Sequence, residues 1–149
     1  MPRVNVLLTG LLLSLVSNPG SAQVEAGAEG RVRILIETEL GNIEAVLDSV
    51  RAPVTVTNFL RYVDAGLFDD ARFFRSVRMD NQPNDSVKIE VIQLSLSREH
   101  ARDGFSPIPL ERTSVTGIRH LNGTLSMARA GPDTGTSSFS IVINEQPQM

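Results

Sequence analysis

The chain contains no cysteine among its 149 residues. That excludes a disulfide scaffold, a cysteine-based zinc site, an iron–sulfur cluster and a thiol nucleophile. Glycine and proline are modest, at 11 and 8 residues, so collagen-like repeats are excluded too. A basic surplus is also missing. The formal net charge is −3, which argues against a general nucleic-acid binder. Several catalytic signatures are absent. There is no G-x-S-x-G elbow, no S-x-x-K, and no Gly-Lys-Ser/Thr ending to the turn-rich stretch Gly131–Thr136. His100 and His120 stand outside any metal-ligand spacing and read as solvated or locally bonded side chains in loops. What remains is a length typical of one domain, with 41% hydrophobic residues to build its core.

The N-terminus reads as a leader. Arg3 supplies a positive start, an apolar run follows from Val4 to Val16, Asn18-Pro19-Gly20 breaks it, and Gly20-Ser21-Ala22 offers small residues for cleavage. The run falls short of the ~20 residues a spanning helix needs, which predicts no lasting membrane insertion. Residues 1–22 are therefore expected to be a secretory signal peptide, residues 23–30 a flexible leader, and residues 31–149 the domain. The expected location is periplasmic or secreted.

The rest reads mainly as strands. Arg31–Thr38 alternates with Val32, Ile34 and Ile36 on one side, and Asn42–Asp48 alternates again after a Gly41-Asn42 turn. Together these predict a β-hairpin. Residues 53–65 break the pattern. Pro53 suits a helix start and Gly66 an end, and Val56, Phe59, Leu60 and Val63 make one apolar face with Asn58, Arg61 and Asp64 off it. Further strands are expected at Arg72–Arg78, Val87–Leu96, Thr124–Arg129 and Phe139–Ile143, with a long loop over 97–123. Asp80–Asp85 reads as a loop inserted between two strands. Met127 and Phe139 read as core.

Three segments carry a resemblance. They are Gly66–Val77, which contains Phe73-Phe74-Arg75-Ser76-Val77, then Val87–Gln93, and then Asn122–Thr134, which contains Gly-Thr-Leu-Ser-Met-Ala and Ala-Gly-Pro, continuing to Ser137-Ser138-Phe139. With Thr38–Gly41 and Asn58-Phe59 before them, their order resembles the cyclophilin family of peptidyl-prolyl cis–trans isomerases. The resemblance covers residues 31–149. It implies a mainly β fold, a closed antiparallel β-barrel with capping helices. It also implies rotation about X–Pro bonds without metal or cofactor, and partners that are proline-containing segments of unfolded or folding proteins. By the match, Arg75 is the catalytic cation. Gln93 bonds the substrate backbone. Ala128 and Arg129 contact the peptide before the proline. Val91, Ser138 and Ser140 fall on other substrate-binding positions. Outside that context Arg75, with Arg72 and Arg78 nearby, reads as a strand-surface arginine, and Gln93 as a polar strand end.

The chain departs from the family at several places. Phe74 replaces a His, Ser76 a Val, and Leu94-Ser95 a Gly-Gly pair. The aromatic floor of the proline pocket maps onto Glu90, its neighbouring Met onto Val91, and a second pocket aromatic onto Ser140. The family also continues beyond the position of Met149 with further strands, a helix and pocket residues. The expectation is therefore a C-terminally truncated member with an incomplete barrel. A binding module without catalysis and an inert fragment stand as alternatives to the enzyme.

Overall fold

A computed structural model describes residues 4–8, 29–83, 87–147 and 149. The chain is mainly β, with antiparallel pairing throughout its sheets. Strands β1 (Val4–Leu8), β2 (Arg31–Thr38) and β3 (Gly41–Asp48) form one sheet in that order. Strands β4 (Arg72–Val77), β5 (Val91–Ser95), β6 (Leu125–Met127) and β7 (Phe139–Val142) form a second, ordered β4-β5-β7-β6. Helix α1 (Pro53–Asp64) and the one-turn α2 (Thr113–Thr116) are its helices among the described residues.

The hairpin follows its alternation. Ile34 and Ile36 are buried, Leu47 joins them from β3, and Thr38 closes the turn by donating its hydroxyl to the Gly41 carbonyl at 2.6 Å. Strand β1 was not foreseen. It lies within the segment read as a leader, pairs with β2 from Val4↔Thr38 to Leu8↔Ile34, and places Val6 in the core. Residues 9–28, including the rest of that leader and most of the segment read as flexible, lie outside the described residues.

Helix α1 runs as the Pro53 and Gly66 signals require. Gly66 adopts φ 66° and donates its N–H to the Val63 carbonyl, ending the helix. Its buried face is wider than the expected stripe. Tyr62 is fully buried, and Asn58, expected off the face, is 2% exposed. Asn58 is held there because its side-chain amide donates to the Thr136 carbonyl at 2.5 Å, tying the helix to the loop before β7.

Between the sheets lies one core. Phe59 and Phe68 meet at 5.1 Å between ring centroids, and each contacts Phe139 of β7, at 5.3 and 5.8 Å. Tyr62 extends the cluster to Phe105 at 4.8 Å, and its hydroxyl accepts the Phe105 N–H at 2.8 Å. Phe139 is core as expected, whereas Met127 is only half-buried and borders a cleft.

Strand β5 starts later than predicted, at Val91 rather than Val87. The Gln82 side chain explains the difference. Its amide donates to the Ile89 carbonyl at 2.7 Å and its oxygen accepts the Ile89 N–H at 3.0 Å, so a side chain takes the place of a neighbouring strand. Strands β4, β6 and β7 likewise stop inside the predicted spans. The expected loop over 97–123 contains α2.

The N-terminus of α1 has no cap of its own. Ala52 offers no side-chain bond and the first turn holds no acid. Glu111, 56 residues or more away in sequence, supplies both. Its two carboxylate oxygens accept the Val54 N–H at 3.0 Å and the Thr55 N–H at 2.7 Å. A negative group there is favoured by the helix dipole as well as by the unpaired donors. Glu111→Ala is expected to lower unfolding free energy by about 1 kcal/mol, the usual worth of a cap. Chemical denaturation of the two proteins side by side measures it. An unchanged midpoint would show that the capping bonds are replaced by water at no cost.

Candidate functional site

The four-stranded sheet presents two different faces, and a bulge in β4 decides what each face carries. Phe73 pairs with Leu94 and packs on the aromatic core. With simple alternation Arg75 would share that face. The register shifts between Phe73 and Arg75, so that Arg75 pairs with Gln93 and Phe74 is the extra residue, left 57% exposed. A bulge of this kind re-aims the following side chain. It moves Arg75 from the core row to the opposite one.

That opposite row crosses all four strands. Arg75 of β4 lies beside Gln93 of β5, Gln93 beside Ser140 of β7, and Ser140 beside Ser126 of β6. All four line a cleft of about 980 Å³. One row further along the sheet, Val77 pairs with Val91, and both border the same cleft with Ile89 as an apolar floor. The other wall comes from residues 108–120, including Glu111, Ile118 and His120.

Every site residue expected from the sequence borders this cleft: Arg75, Gln93, Val91, Ala128, Arg129, Ser138 and Ser140. Arg75 and Arg129 are exposed, while Val91 and Ser140 are 2% and 5% exposed and form its base. Ala128 continues the ladder past β6 by donating its N–H to the Ser138 carbonyl at 2.9 Å. The loop after it is pinned by Thr134, whose hydroxyl oxygen accepts the Ala130 and Gly131 N–H groups. Gly135 sits so close to Met127 that an added Cβ would lie 2.9 Å from its Cγ. A glycine therefore sets how closely the loop approaches the cleft wall.

Glu90, the position matched to an aromatic floor, is not part of the cleft. Its carboxylate accepts the Asn144 side-chain amide at 2.8 Å. The apolar contact expected of that floor comes from Val77, Ile89 and Val91 instead.

His120 and Ser126 were missed as site residues. His100 behaves as its loop position predicts, with Nδ1 3.2 Å from Asp103 at the surface. His120 is different. Its Nε2 lies 2.9 Å from the Ser126 hydroxyl, and it borders the cleft. The signal available was the serine inside Gly-Thr-Leu-Ser-Met-Ala. Nothing in sequence spacing linked it to a histidine six residues earlier. Among the described residues no group of three His, Asp or Glu side chains could hold a metal ion, and no helix is long and apolar enough to cross a membrane.

Burial, and then the Arg129 guanidinium, hold the His120 imidazole below its ordinary value of 6.5. The unfolded chain therefore takes up a proton at a higher pH than the native protein does. Stability from this residue is complete above about 6.5 and is lost as pH falls from there through the lower native value. His120→Gln, which keeps a hydrogen-bonding partner for Ser126, is expected to flatten the acid limb of the stability profile below about pH 6.5. Thermal midpoints measured across that range would show it. Parallel profiles for both proteins would place the acid sensitivity elsewhere.

The sheet thus sets an exposed arginine beside a glutamine in an open cleft that Val77, Ile89 and Val91 also line. Comparisons with known proteins define the class further. The family described as "Cyclophilin type peptidyl-prolyl cis-trans isomerase/CLD" matches residues 33–149. Peptidyl-prolyl cis-trans isomerase A of Dickeya dadantii is 35% identical over 109 residues, covering 72% of this chain and 52% of that protein. A peptidyl-prolyl cis-trans isomerase of Acinetobacter baylyi is 30% identical over 142 residues, covering 95% and 64%. One from Synechococcus elongatus is 33% identical over 121 residues, covering 77% and 71%. The chain belongs to the cyclophilin-type peptidyl-prolyl cis–trans isomerase family. It spans between about half and two thirds of the length of the first two of these relatives.

Proposed function

We propose that the chain accelerates cis–trans rotation of X–Pro peptide bonds. The observation that carries this reading is the Arg75–Gln93 pair, side by side on the cleft face of the sheet above Val77 and Val91. X–Pro rotation faces a barrier of about 18–20 kcal/mol because the amide is conjugated. No bond to a heavy atom forms or breaks. A catalyst has only to stabilise the twisted state, in which the imide nitrogen loses conjugation and becomes a better hydrogen-bond acceptor. A guanidinium is suited to this because it is always charged and its donors are rigid. In this reading Arg75 donates to the prolyl nitrogen, Gln93 holds the substrate backbone, and the valine floor seats the ring. Ala128, Arg129, Ser138 and Ser140 border the bound strand.

A second reading is a module that binds proline-containing segments without turning them. Ser140 favours it, because a serine stands where the family carries a pocket aromatic, and an aromatic buries far more surface. Exchange spectroscopy on an X–Pro peptide separates the two. The full chain is expected to speed exchange, and Arg75→Ala to reduce kcat/KM by about 100-fold or more, as removal of a transition-state donor does elsewhere. Equal catalysed rates in the variant would remove Arg75 from the mechanism. Binding without faster exchange would establish the module.

The clients in this proposal are exported proteins as they fold, where slow X–Pro steps of tens to hundreds of seconds delay the native state. The support is the leader pattern of residues 1–22. Cleavage after Ala22 would also remove β1. The protein recovered from its host is expected to begin at Gln23 by intact mass and N-terminal sequencing. A chain that keeps residues 4–8 would retain the strand and contradict export by this route.

A further inference from the structure

Several polar side chains around the cleft are already engaged by the protein itself. Glu111 accepts the Val54 and Thr55 N–H groups, Asp133 accepts the Leu110 N–H at 2.7 Å, and Thr134 bonds its own loop. His120 and Ser126 are joined at 2.9 Å. The centre of the sheet is different. Gln93 of β5 and Ser140 of β7 face each other across the strands, and neither side chain has a hydrogen-bond partner among the described residues. Ser140 is 5% exposed, and a hydroxyl buried that far normally has a partner. Asn58 Oδ1 is unpartnered too, but it is sealed within the protein. Ser140 lines the cleft, where a ligand can reach it.

The donors and acceptors on offer decide what this place can hold. A serine hydroxyl has one donor and two lone pairs, and a glutamine amide has two donors and two lone pairs. A ligand group with both a donor and an acceptor satisfies the two residues together, and a side-chain carboxamide is such a group. An apolar side chain would cover the Ser140 hydroxyl and leave it unpaired, which costs more than a hydrogen bond gains. A carboxylate brings no donor and would lose hydration at a buried base. Net charge gives it little in return. Arg112 and Arg129 border the cleft against Glu111 and Asp133, which leaves Arg75 as the unbalanced charge. Arg75 stands two strands from Ser140, about 10 Å away. An extended segment covers that span in about three residues.

Resting on the isomerase reading above, we propose that Ser140 and Gln93 form a carboxamide-selective subsite, so that the cleft prefers X–Pro segments carrying Asn or Gln within three residues of the proline. Ser140 pairs with one end of the carboxamide and Gln93 with the other. Gln93 has the capacity to hold the substrate backbone as well, since one such contact uses only part of its donors and lone pairs. Ser126, beside Ser140 on β6, is already bonded to His120 and contributes less. The preference acts on selection of the substrate, whereas Arg75 acts on the rotation itself.

The test uses the full chain and matched alanine-based peptides with a single proline, bearing Asn, Asp or Leu at each of the three positions on either side of it. The three side chains are close in size, so the end group is what changes. Exchange spectroscopy gives the catalysed rate for each peptide, and chemical-shift titration gives its dissociation constant. At one or more positions Asn is expected to exceed both Leu and Asp by about three- to ten-fold in kcat/KM. Ser140→Ala should bring the Asn-to-Leu ratio to within about two-fold of unity, and Ser126→Ala should change it less. The ratio is internally controlled for any change in folded fraction. Equal rates for Asn and Leu at every position would overturn the subsite and leave the isomerase reading intact. Asp above Asn would show recognition by charge and overturn it as well, as would an Asn preference that survives Ser140→Ala. Exchange unaltered in every peptide would overturn the isomerase reading. In that case tighter binding of Asn peptides, lost in Ser140→Ala, would uphold the subsite as a property of a binding cleft, and equal or absent binding would end it.

Discussion

A single sheet has to serve a hydrophobic core on one face and a polar cleft on the other, and the bulge at Phe74 is what reconciles the two demands. Strict alternation ties every side chain of a strand to one of two faces. Phe73 is needed by the core, where it meets the row of Leu94 and Phe139. Two residues later an arginine on the same face would be a buried unpaired charge, which is heavily disfavoured. The extra residue reverses the phase of the strand at the point where its chemistry changes. The surface position of Phe74 follows from this geometry: the inserted residue is exposed so that its neighbours on either side can face opposite ways.

The wall facing this sheet is held by polar contacts rather than by a strand ladder. Glu111 ties the 108–120 segment to the start of α1, Asn58 ties α1 to Thr136, and Asp133 ties the loop after β6 to Leu110. An isolated β-bridge between Ile108 and Gly135 completes the connection. Buried Asn58 shows the cost of this construction, since its Oδ1 has no hydrogen-bond partner among the described residues. Such an atom is tolerated where a tertiary link gains more than the unsatisfied acceptor loses.

Much of this was legible in the sequence. The β2–β3 hairpin, α1 with its Pro53 and Gly66 boundaries, and the centres of β4 to β7 follow from periodicity and turn residues, because those signals are local. The order of motifs pointed to Arg75, Gln93, Val91, Ala128, Arg129, Ser138 and Ser140, and the fold brings these residues to the border of one cleft. What escaped was non-local. Nothing near Pro53 announces that its helix is capped by Glu111, and Asn58 reads as solvent-facing until its partner carbonyl at Thr136 is known. Gln82 mimics a strand for Ile89, which shortens β5 in a way no propensity records. His120 joins the site only because a loop folds back onto Ser126. Strand β1 was obscured because an apolar run reads equally well as a leader and as an edge strand.

The departures from the family bear on binding and on rotation differently. On the proposed reading, a serine at Ser140 and a Glu90 that bonds Asn144 leave less apolar area for a proline ring than the family's aromatics would. Contact of that kind is felt equally by the planar and the twisted states of the substrate, and uniform binding changes KM far more than kcat. In the proposed mechanism the interaction that distinguishes the two states is a donor to a nitrogen that becomes basic only when twisted, and the bulge that turns Arg75 to the cleft face does not depend on the pocket residues. A shallower proline seat is therefore compatible with an intact rotation step.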